Sequence, residues 1–311
     1  MNGVVITGPT GAIGMALIKK CIQEGIKVLA ICHRGSKRIS HIPKSDLVKV
    51  IQADLDEYND LLKDPYANEP KPNTGDYELF IHLAWNGTFG DTRNDTSLQA
   101  DNIKYTLDAV TLASHLGCKT FIGAGSQAEY GRVNKPLRPD TPTFPENGYG
   151  MAKLAAGQLS RIKCEQLGLK HIWTRILSIY GPYDGEYTMV MSTLKKMLAD
   201  EETHFTAGDQ IWDYLYSEDA ADMILHLAES AEHGTICCIG SGQPRPLKEY
   251  IKDMYEVTGC TARLGLGDIP YGDKQVMCLY VDKECVIPGR KTEFKQGIRY
   301  ILDNEEWARS K

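Results

Sequence analysis

An α/β fold built on a doubly wound parallel sheet is predicted by three observations. Short apolar, β-branched runs alternate with helical patterns over residues 1–180, which is the pattern of successive strand–helix–strand units. The first run, Gly3–Thr7, passes directly into Gly8–Pro9–Thr10–Gly11–Ala12–Ile13–Gly14 and then a helical pattern through Met15–Glu24. Gly8, Ala84, Ser126 and Ser178 each stand at or just past the end of an apolar run. Ligands bind such sheets beyond the carboxyl ends of their strands.

The elements follow in order. Residues 3–7 (GVVIT) read as a buried parallel strand, being apolar without alternation. Lys27–Cys32 is a second strand and Val48–Ala53 a third, ending at Asp54. Residues 56–76 are polar and hold Pro65, Pro70 and Pro72, which predicts a short helix and then a surface loop. Tyr77–Leu83 is a fourth strand, followed by a loop at Gly87–Arg93 and a long helix over Thr96–Leu116. Thr120–Ala124 is a fifth strand and runs into Gly125–Ser126–Gln127–Ala128–Glu129–Tyr130–Gly131. Pro142, Pro145 and Gly148 supply loop chemistry before a helix at Met151–Leu167, which is rich in helix formers. Lys170–Ile179 is a sixth strand, and Tyr180–Gly181–Pro182 follows it.

The chain then changes character. Helices are expected at 187–199, 217–230 and 248–257, with short strands at 203–206 and 235–239. The stretch 261–290 mixes Gly, Pro and short apolar runs. The expected organisation is a sheet domain of residues 1–180 with parts of 200–240, and a smaller C-terminal α/β lobe made from most of 181–311. Such a lobe would close over the sheet end and form a substrate cleft there.

Composition narrows the function classes. A chain of 311 residues can bury a large core. A net charge of −6 argues against nucleic acid or an anionic membrane surface as the partner. No apolar run approaches a membrane span, and the N-terminus reads as a strand rather than a signal peptide. The nine cysteines are odd in number and none form C-x-x-C, which suits reduced thiols in a cytoplasmic protein. The adjacent Cys237 and Cys238 read as strand filler. The eight histidines are scattered, so no metal centre is expected.

Strand, glycine turn and helix in that order form a dinucleotide-binding unit of the Rossmann type. The glycines permit a tight turn and close backbone approach to a pyrophosphate, and the helix N-terminus offers it free N–H groups. Gly8, Thr10, Gly11, Ala12, Ile13 and Gly14 are the expected contacts, at a spacing of G-x-x-G-x-x-G. An acid at the end of the second strand would hold the adenosine ribose 2′-OH. Cys32 and His33 stand there instead, followed by Arg34, Ser36, Lys37 and Arg38. A cationic cluster suits a ribose 2′-phosphate and so NADP(H), with His33 and Arg34 as contacts. A solvated basic loop beside NAD is the other reading.

Tyr149 and Lys153 are four apart, which on a helix puts them on one face, one turn apart. A lysine ammonium beside a phenol favours the phenolate and lowers the Tyr pKa from its ordinary ~10. A tyrosine so tuned can pass a proton to or from an alcohol or carbonyl.

Taken together, these residues resemble the extended short-chain dehydrogenase/reductases that act on nucleotide-activated sugars. The matches are Thr7–Gly8-x-x-Gly11-x-x-Gly14, Asp54, His82–Leu83–Ala84, Asn102 in an N-I-x-x-T run, and Ser126 with Tyr130–Gly131. Further along come Tyr149–Lys153, Arg175 with Tyr180–Gly181–Pro182, Asp213 and Asp219 in QIWDYLYSED, and the Gly297–Ile298 turn of a last helix. The resemblance implies Tyr149 as acid/base, Lys153 as the group that lowers its pKa and holds the nicotinamide ribose, and Ser126 as the hydrogen-bond partner of the reacting oxygen. It also implies Asp54 at the adenine amino group, with Leu55, Leu83 and Ala84 as further cofactor contacts. His82 is expected to be a structural strand residue. Trp85, Ser126, Gln127, Ser178, Trp212 and Arg263 are the expected substrate contacts.

Three departures refine the expectation. Dehydratases of that family carry Thr-Asp-Glu where this chain has Ser126–Gln127–Ala128, so the acid and base that eliminate water are missing. Glu129 is one position off and is expected to point elsewhere. The family often has Arg at the position of Trp212 and Asn at that of Ser178. Arg263, Arg245 or Lys248 would have to supply the missing charge, and Trp212 would stack on a base or sugar. The expected activity is hydride transfer at C4 of a nucleotide-activated sugar, as a 4-keto-sugar reductase consuming NADPH. The alternatives are a nucleotide-sugar 4-epimerase with retained NAD and a non-catalytic NADP(H)-binding regulator. Small residues on the two long helices (Ala109, Ala113, Ala155, Ala156) and the family habit suggest a homodimer.

Overall fold

The structure is a computed structural model that describes residues 1–63, 75–305 and 308. The loop expected around Pro65, Pro70 and Pro72 lies outside the described residues. In chain order the first half holds β1 (Gly3–Thr7), α1 (Ala12–Gln23), β2 (Lys27–Cys32), β3 (Val48–Gln52), α2 (Tyr58–Lys63), β4 (Leu79–His82), α3 (Thr96–His115), β5 (Thr120–Ser126), α4 (Gly148–Gln166) and β6 (Lys170–Ile176). The second half holds β7 (Ser178–Tyr180), α5 (Met189–Leu198), β8 (Thr203–Phe205), β9 (Ile211–Trp212), β10 (Tyr214–Tyr216), α6 (Ser217–Ser230) and β11 (Thr235–Ile239). It ends with β12 (Arg245–Pro246), α7 (Leu247–Thr258), β13 (Leu264–Leu266), β14 (Cys278–Leu279) and α8 (Phe294–Asn304).

Seven strands form one sheet in the order β11-β6-β5-β4-β1-β2-β3, and every pairing in it is parallel. The strand interiors are buried, as continuous apolar runs require: Val4, Val5, Ile6 and Phe80 have no exposed surface. One face packs against α1 and α6 through Leu17, Ile18, Met223 and Ile224. The other packs against α2, α3 and α4 through Tyr58, Val110, Leu112 and Cys164. β1 and β4 are neighbours at the centre of this order, where the sequence of strands reverses, and the ligand crevice of such a sheet forms there.

A second apolar cluster gathers α5, α7 and α8 around Tyr180, Leu194, Ile251 and Ile298. Two buried aspartates fix this part to the sheet. Asp213 accepts from the N–H groups of Ser241 (2.8 Å), Gly242 (2.9 Å) and Val281 (3.3 Å). Asp219, at the start of α6, accepts from Thr292 N–H (2.5 Å) and Arg290 Nε (3.0 Å).

Three boundaries differ from expectation. The sixth strand divides at Leu177, whose N–H donates to Ile239 O (3.0 Å). Beyond it the chain leaves the main sheet, and β7 pairs with β10 instead. The loop after β4 contains a 3-10 turn, Gly90–Asn94. The strands β9, β10, β12, β13 and β14 are two or three residues each, too short to show a period of two. Cys237 and Cys238 sit in β11, as strand residues.

Candidate active site

A cavity of about 550 Å³ opens at the ends of β1, β2, β3 and β4. Gly8, Thr10 and Gly11 line it from the β1–α1 turn, His33 from the end of β2, Asp54 and Leu55 from the end of β3, and Leu83 and Ala84 from the end of β4. Two glycines are required by close approach. Gly8 has φ +67°, and a Cβ there would come within 2.9 Å of Ala84 N. A Cβ at Gly14 would come within 2.5 Å of Gly8 O. Gly11 is different: a Cβ there would meet only Gly8 O, at 3.9 Å, so its bare backbone faces open space. The N–H groups of Ala12, Ile13 and Gly14 precede the first helical bond, from Met15 N–H to Gly11 O (2.9 Å). They are left for an anion at the positive end of α1. Cavity and cradle fit a dinucleotide.

The basic stretch after β2 is partly committed. Arg34 donates through Nε to Glu57 Oε2 (2.8 Å), and its N–H donates to Asp54 Oδ1 (3.1 Å). Arg38 donates to the carbonyls of Tyr183 (2.5 Å) and Asp184 (3.3 Å). Asp54 thus shapes the turn after β3, and Glu57 completes the capping box with it, accepting from Asp54 N–H (2.8 Å).

Lys153 is buried on α4, and its ammonium donates to Ala124 O (2.6 Å) and lies 3.8 Å from the Trp85 ring centroid. Tyr149, half-buried at the start of α4, meets Trp85 edge to face at 6.0 Å between centroids. The helix starts there because Asn147 caps it, accepting from Gly150 N–H (2.8 Å). The Lys153 ammonium is 5.8 Å from the Tyr149 centroid, and the Arg93 guanidinium is nearer, at 4.2 Å. Burial pushes the Tyr149 phenol above its ordinary value, opposed by the Ser126 side chain and by the Arg93 charge, with Glu129 adding to the rise. Burial also pulls Lys153 down to about 7, against the pull of Glu129. The Lys153 ammonium is bound to Ala124 O and lies against Trp85, on the same face of α4 as Tyr149.

Ser126 ends β5 and its side chain accepts from Ala128 N–H (3.2 Å). The turn it starts is held from below by Glu129, which is fully buried. Glu129 accepts from Ser126 N–H (2.8 Å) and Trp173 Nε1 (3.0 Å) and pairs with Arg175 (2.8 Å). It therefore points away from the reacting side, as expected. His82 is also structural. Its buried ring lies between Thr7 Oγ1 (2.9 Å) and Thr106 Oγ1 (3.4 Å), and burial pulls its pKa down to about 3.

The expected substrate contacts are only partly brought together. Trp212 Nε1 donates to Ser178 Oγ (2.8 Å), so these two partner each other. Gln127 is half-buried beside Ser126, and Trp85 lines the dinucleotide cavity. Arg263 is exposed and paired with Asp268 (2.8 Å). Lys248 is paired with Asp209 (2.7 Å) and Arg245 with Asp253 (2.8 Å). None of the three is a free replacement for the charge missing at Trp212. Three residues build the loop after β4: Gln99, which the sequence reading passed over, Asn102, which it noted only as a family match, and Arg93, which it placed in that loop without a role. Gln99 accepts from Trp85 Nε1 (2.9 Å) and donates to Gly87 O (2.8 Å). Asn102 bonds both the N–H (3.0 Å) and the carbonyl (2.9 Å) of Asn86. Arg93 lies on Tyr149. The signal for the first two was their burial-facing phase on α3; for Arg93 there was none. Among the described residues no group of His, Cys, Asp or Glu could hold a metal ion, and no helix is long and apolar enough to cross a membrane.

Fold and site define a nicotinamide-dependent enzyme of the extended short-chain dehydrogenase/reductase type. The chain belongs to the NAD dependent epimerase/dehydratase family, which it matches over residues 4–240. It is 26% identical over 257 residues to dTDP-6-deoxy-L-talose 4-dehydrogenase (NAD(+)) of Aggregatibacter actinomycetemcomitans, covering 81% of this chain and 88% of the relative. It is 26% identical over 283 residues to dTDP-4-dehydro-6-deoxyglucose reductase of Escherichia coli, covering 86% and 85%. In fold it is similar to the UDP-glucose 4-epimerase of Thermotoga maritima, solved with UDP-glucose, with a TM-score of 0.83, 20% identity and coverage of 97% and 98%.

Proposed function

We propose that this protein is a reductase of a 4-keto nucleotide-activated sugar, moving hydride between a nicotinamide and sugar C4. The observation that carries this reading is the grouping of Ser126, Tyr149 and Lys153 at one end of the sheet, with the nearby carboxylate of Glu129 locked beneath it by Arg175. A proton donor is present, and an acid/base pair for eliminating water is not. The two relatives named above for C4 redox chemistry support the same reading. The bound nicotinamide supplies the hydride. Tyr149 gives its phenolic proton to the sugar oxygen, Ser126 orients that oxygen, and Lys153 holds the nicotinamide ribose. General acid help of this kind is worth roughly 10²–10⁴-fold.

NADPH is the proposed reductant, because no carboxylate ends β2 and Arg34 stands two residues past it. Residues 1–180 with parts of 200–240 are read as the cofactor domain, and most of 181–311 as the substrate lobe. The proposed partner is a second copy of the chain. Of the four alanines expected there, Ala109, Ala113 and Ala156 are buried inside the protomer and Ala155 is half-buried. The exposed apolar face of α4, Met151, Leu159 and Ile162, is the better surface. A cytoplasmic location is supported by the nine cysteines, none of which is in a disulfide.

Purified protein incubated with a 4-keto-6-deoxy nucleotide-sugar should oxidise NADPH in one-to-one proportion. Interconversion of a UDP-hexose without loss of NADPH would make it an epimerase. Cofactor binding with no turnover on a nucleotide-sugar panel would make it a regulator.

A further inference from the structure

Tyr149 is surrounded by Arg93, Trp85 and Lys153. Arg93 lies with its guanidinium carbon 4.2 Å from the Tyr149 centroid, Trp85 meets the ring edge to face, and the Lys153 ammonium lies 5.8 Å from the Tyr149 centroid and 3.8 Å from that of Trp85. Arg93 reaches this place because its loop is clamped to the start of α4. Asn94 Oδ1 accepts from Gly148 N–H (3.0 Å), and a Cβ at Gly148 would come within 3.0 Å of Arg93 O. Arg93 Nη1 donates to Thr88 O (2.9 Å). Among the described residues Arg93 makes no ion pair with a carboxylate, so its charge is not neutralised locally. The other charged groups facing Tyr149 are Glu129, which is already paired with Arg175, and Lys153 on its own helix, whose ammonium is bound to Ala124 O.

We propose that Arg93 is a positioning residue for Tyr149: its guanidinium, laid on the phenol ring, holds that side chain in the cleft and stabilises negative charge on its oxygen. This rests on the reading of Tyr149 as the acid/base. A planar, always-charged guanidinium suits the role, because it stacks on an aromatic face as well as carrying charge. The direction of the Arg93 effect on the phenol, downward against burial, agrees with this.

The test uses the full chain with Arg93→Gln and Arg93→Lys. In the oxidative direction kcat/KM rises with pH as Tyr149 loses its proton. Arg93→Gln is expected to move that rise up by about one pH unit, a roughly tenfold loss on the rising limb. Arg93→Lys, which keeps the charge but not the stacked plane, should recover part of it, and cofactor affinity should stay within twofold of wild type. An unmoved profile in Arg93→Gln overturns the proposal, as does a loss seen only in cofactor affinity or melting temperature. If the wild type turns over no nucleotide-sugar, the functional reading fails by itself. The proposal is then read from the alkaline ultraviolet difference between wild type and Tyr149→Phe, repeated in the Arg93→Gln background. A phenolate signal that appears at higher pH there supports it, and an identical signal overturns it.

Discussion

Buried Lys153 and half-buried Trp85 form a cation–aromatic pair, with the ammonium nitrogen 3.8 Å from the ring centroid. The indole is fixed in turn by its bond to Gln99 Oε1 (2.9 Å). The loop after β4 therefore sets where the lysine of α4 can point.

Replacing Trp85 tests this relationship. Cation–aromatic contacts are worth about 0.5–2 kcal/mol, or roughly 2–30-fold. Trp85→Leu should lower kcat/KM within that span and weaken nicotinamide dinucleotide binding, while Trp85→Phe keeps most of both. Steady-state kinetics and cofactor titration of the two variants decide it. Equal losses for Leu and Phe would show that the ring face does not matter.

Lys153 makes stability depend on pH. Its pKa is pulled from 10.5 to about 7 by burial. Between these values the unfolded chain binds more protons at this site than the folded one, so this contribution to stability grows as pH rises. Below about 7 both states are protonated and the cost of burying the charge is felt in full. Cofactor-free wild type should gain stability relative to Lys153→Met between pH 7 and 9, measured by urea midpoints. A constant difference across that window would contradict it.

Glu129 is the structural support of the Ser126 turn. Removing one partner of a buried ion pair typically costs about 3–5 kcal/mol. Glu129→Gln should lose stability of that order, because Arg175 stays buried and only 4% exposed. Chemical denaturation measures it; a loss below about 1 kcal/mol would mean that Arg175 finds other partners.

Glu57 competes for the cation proposed to read the ribose. Its pair with Arg34 is exposed, so Glu57→Gln should leave stability nearly unchanged. Freed from it, Arg34 should lower the KM for NADPH several-fold and leave that for NADH unchanged. A parallel change for both cofactors would remove Arg34 from the 2′-phosphate.

The scaffold was legible because its signals are local. Buried parallel strands such as Gly3–Thr7 are continuous apolar runs, and the glycine turn before α1 has a spacing that packing dictates at Gly8 and Gly14. The placement of Ser126, Tyr149 and Lys153 near one another was legible for the same reason, since β5 and α4 are strong elements. What was hidden is what non-local packing decides. Lys153 donates to Ala124 O of β5 and lies against the Trp85 indole of the loop after β4, partners distant from it in sequence. Trp212 and Ser178 consume each other's polar atoms across β9 and β7, which are three residues or fewer. Ala109, Ala113 and Ala156 are buried within the protomer, while Ala155 is half-buried, a distinction that helical spacing alone does not give.

Isotope transfer tests the central claim most directly. Protein is mixed with a 4-keto-6-deoxy nucleotide-sugar and NADPH carrying deuterium at the transferable position, and the product sugar is weighed and mapped. One deuterium at C4 per NADPH consumed, lost in Tyr149→Phe, is the expected result. Product with no deuterium at C4, or equal transfer by Tyr149→Phe, would contradict it.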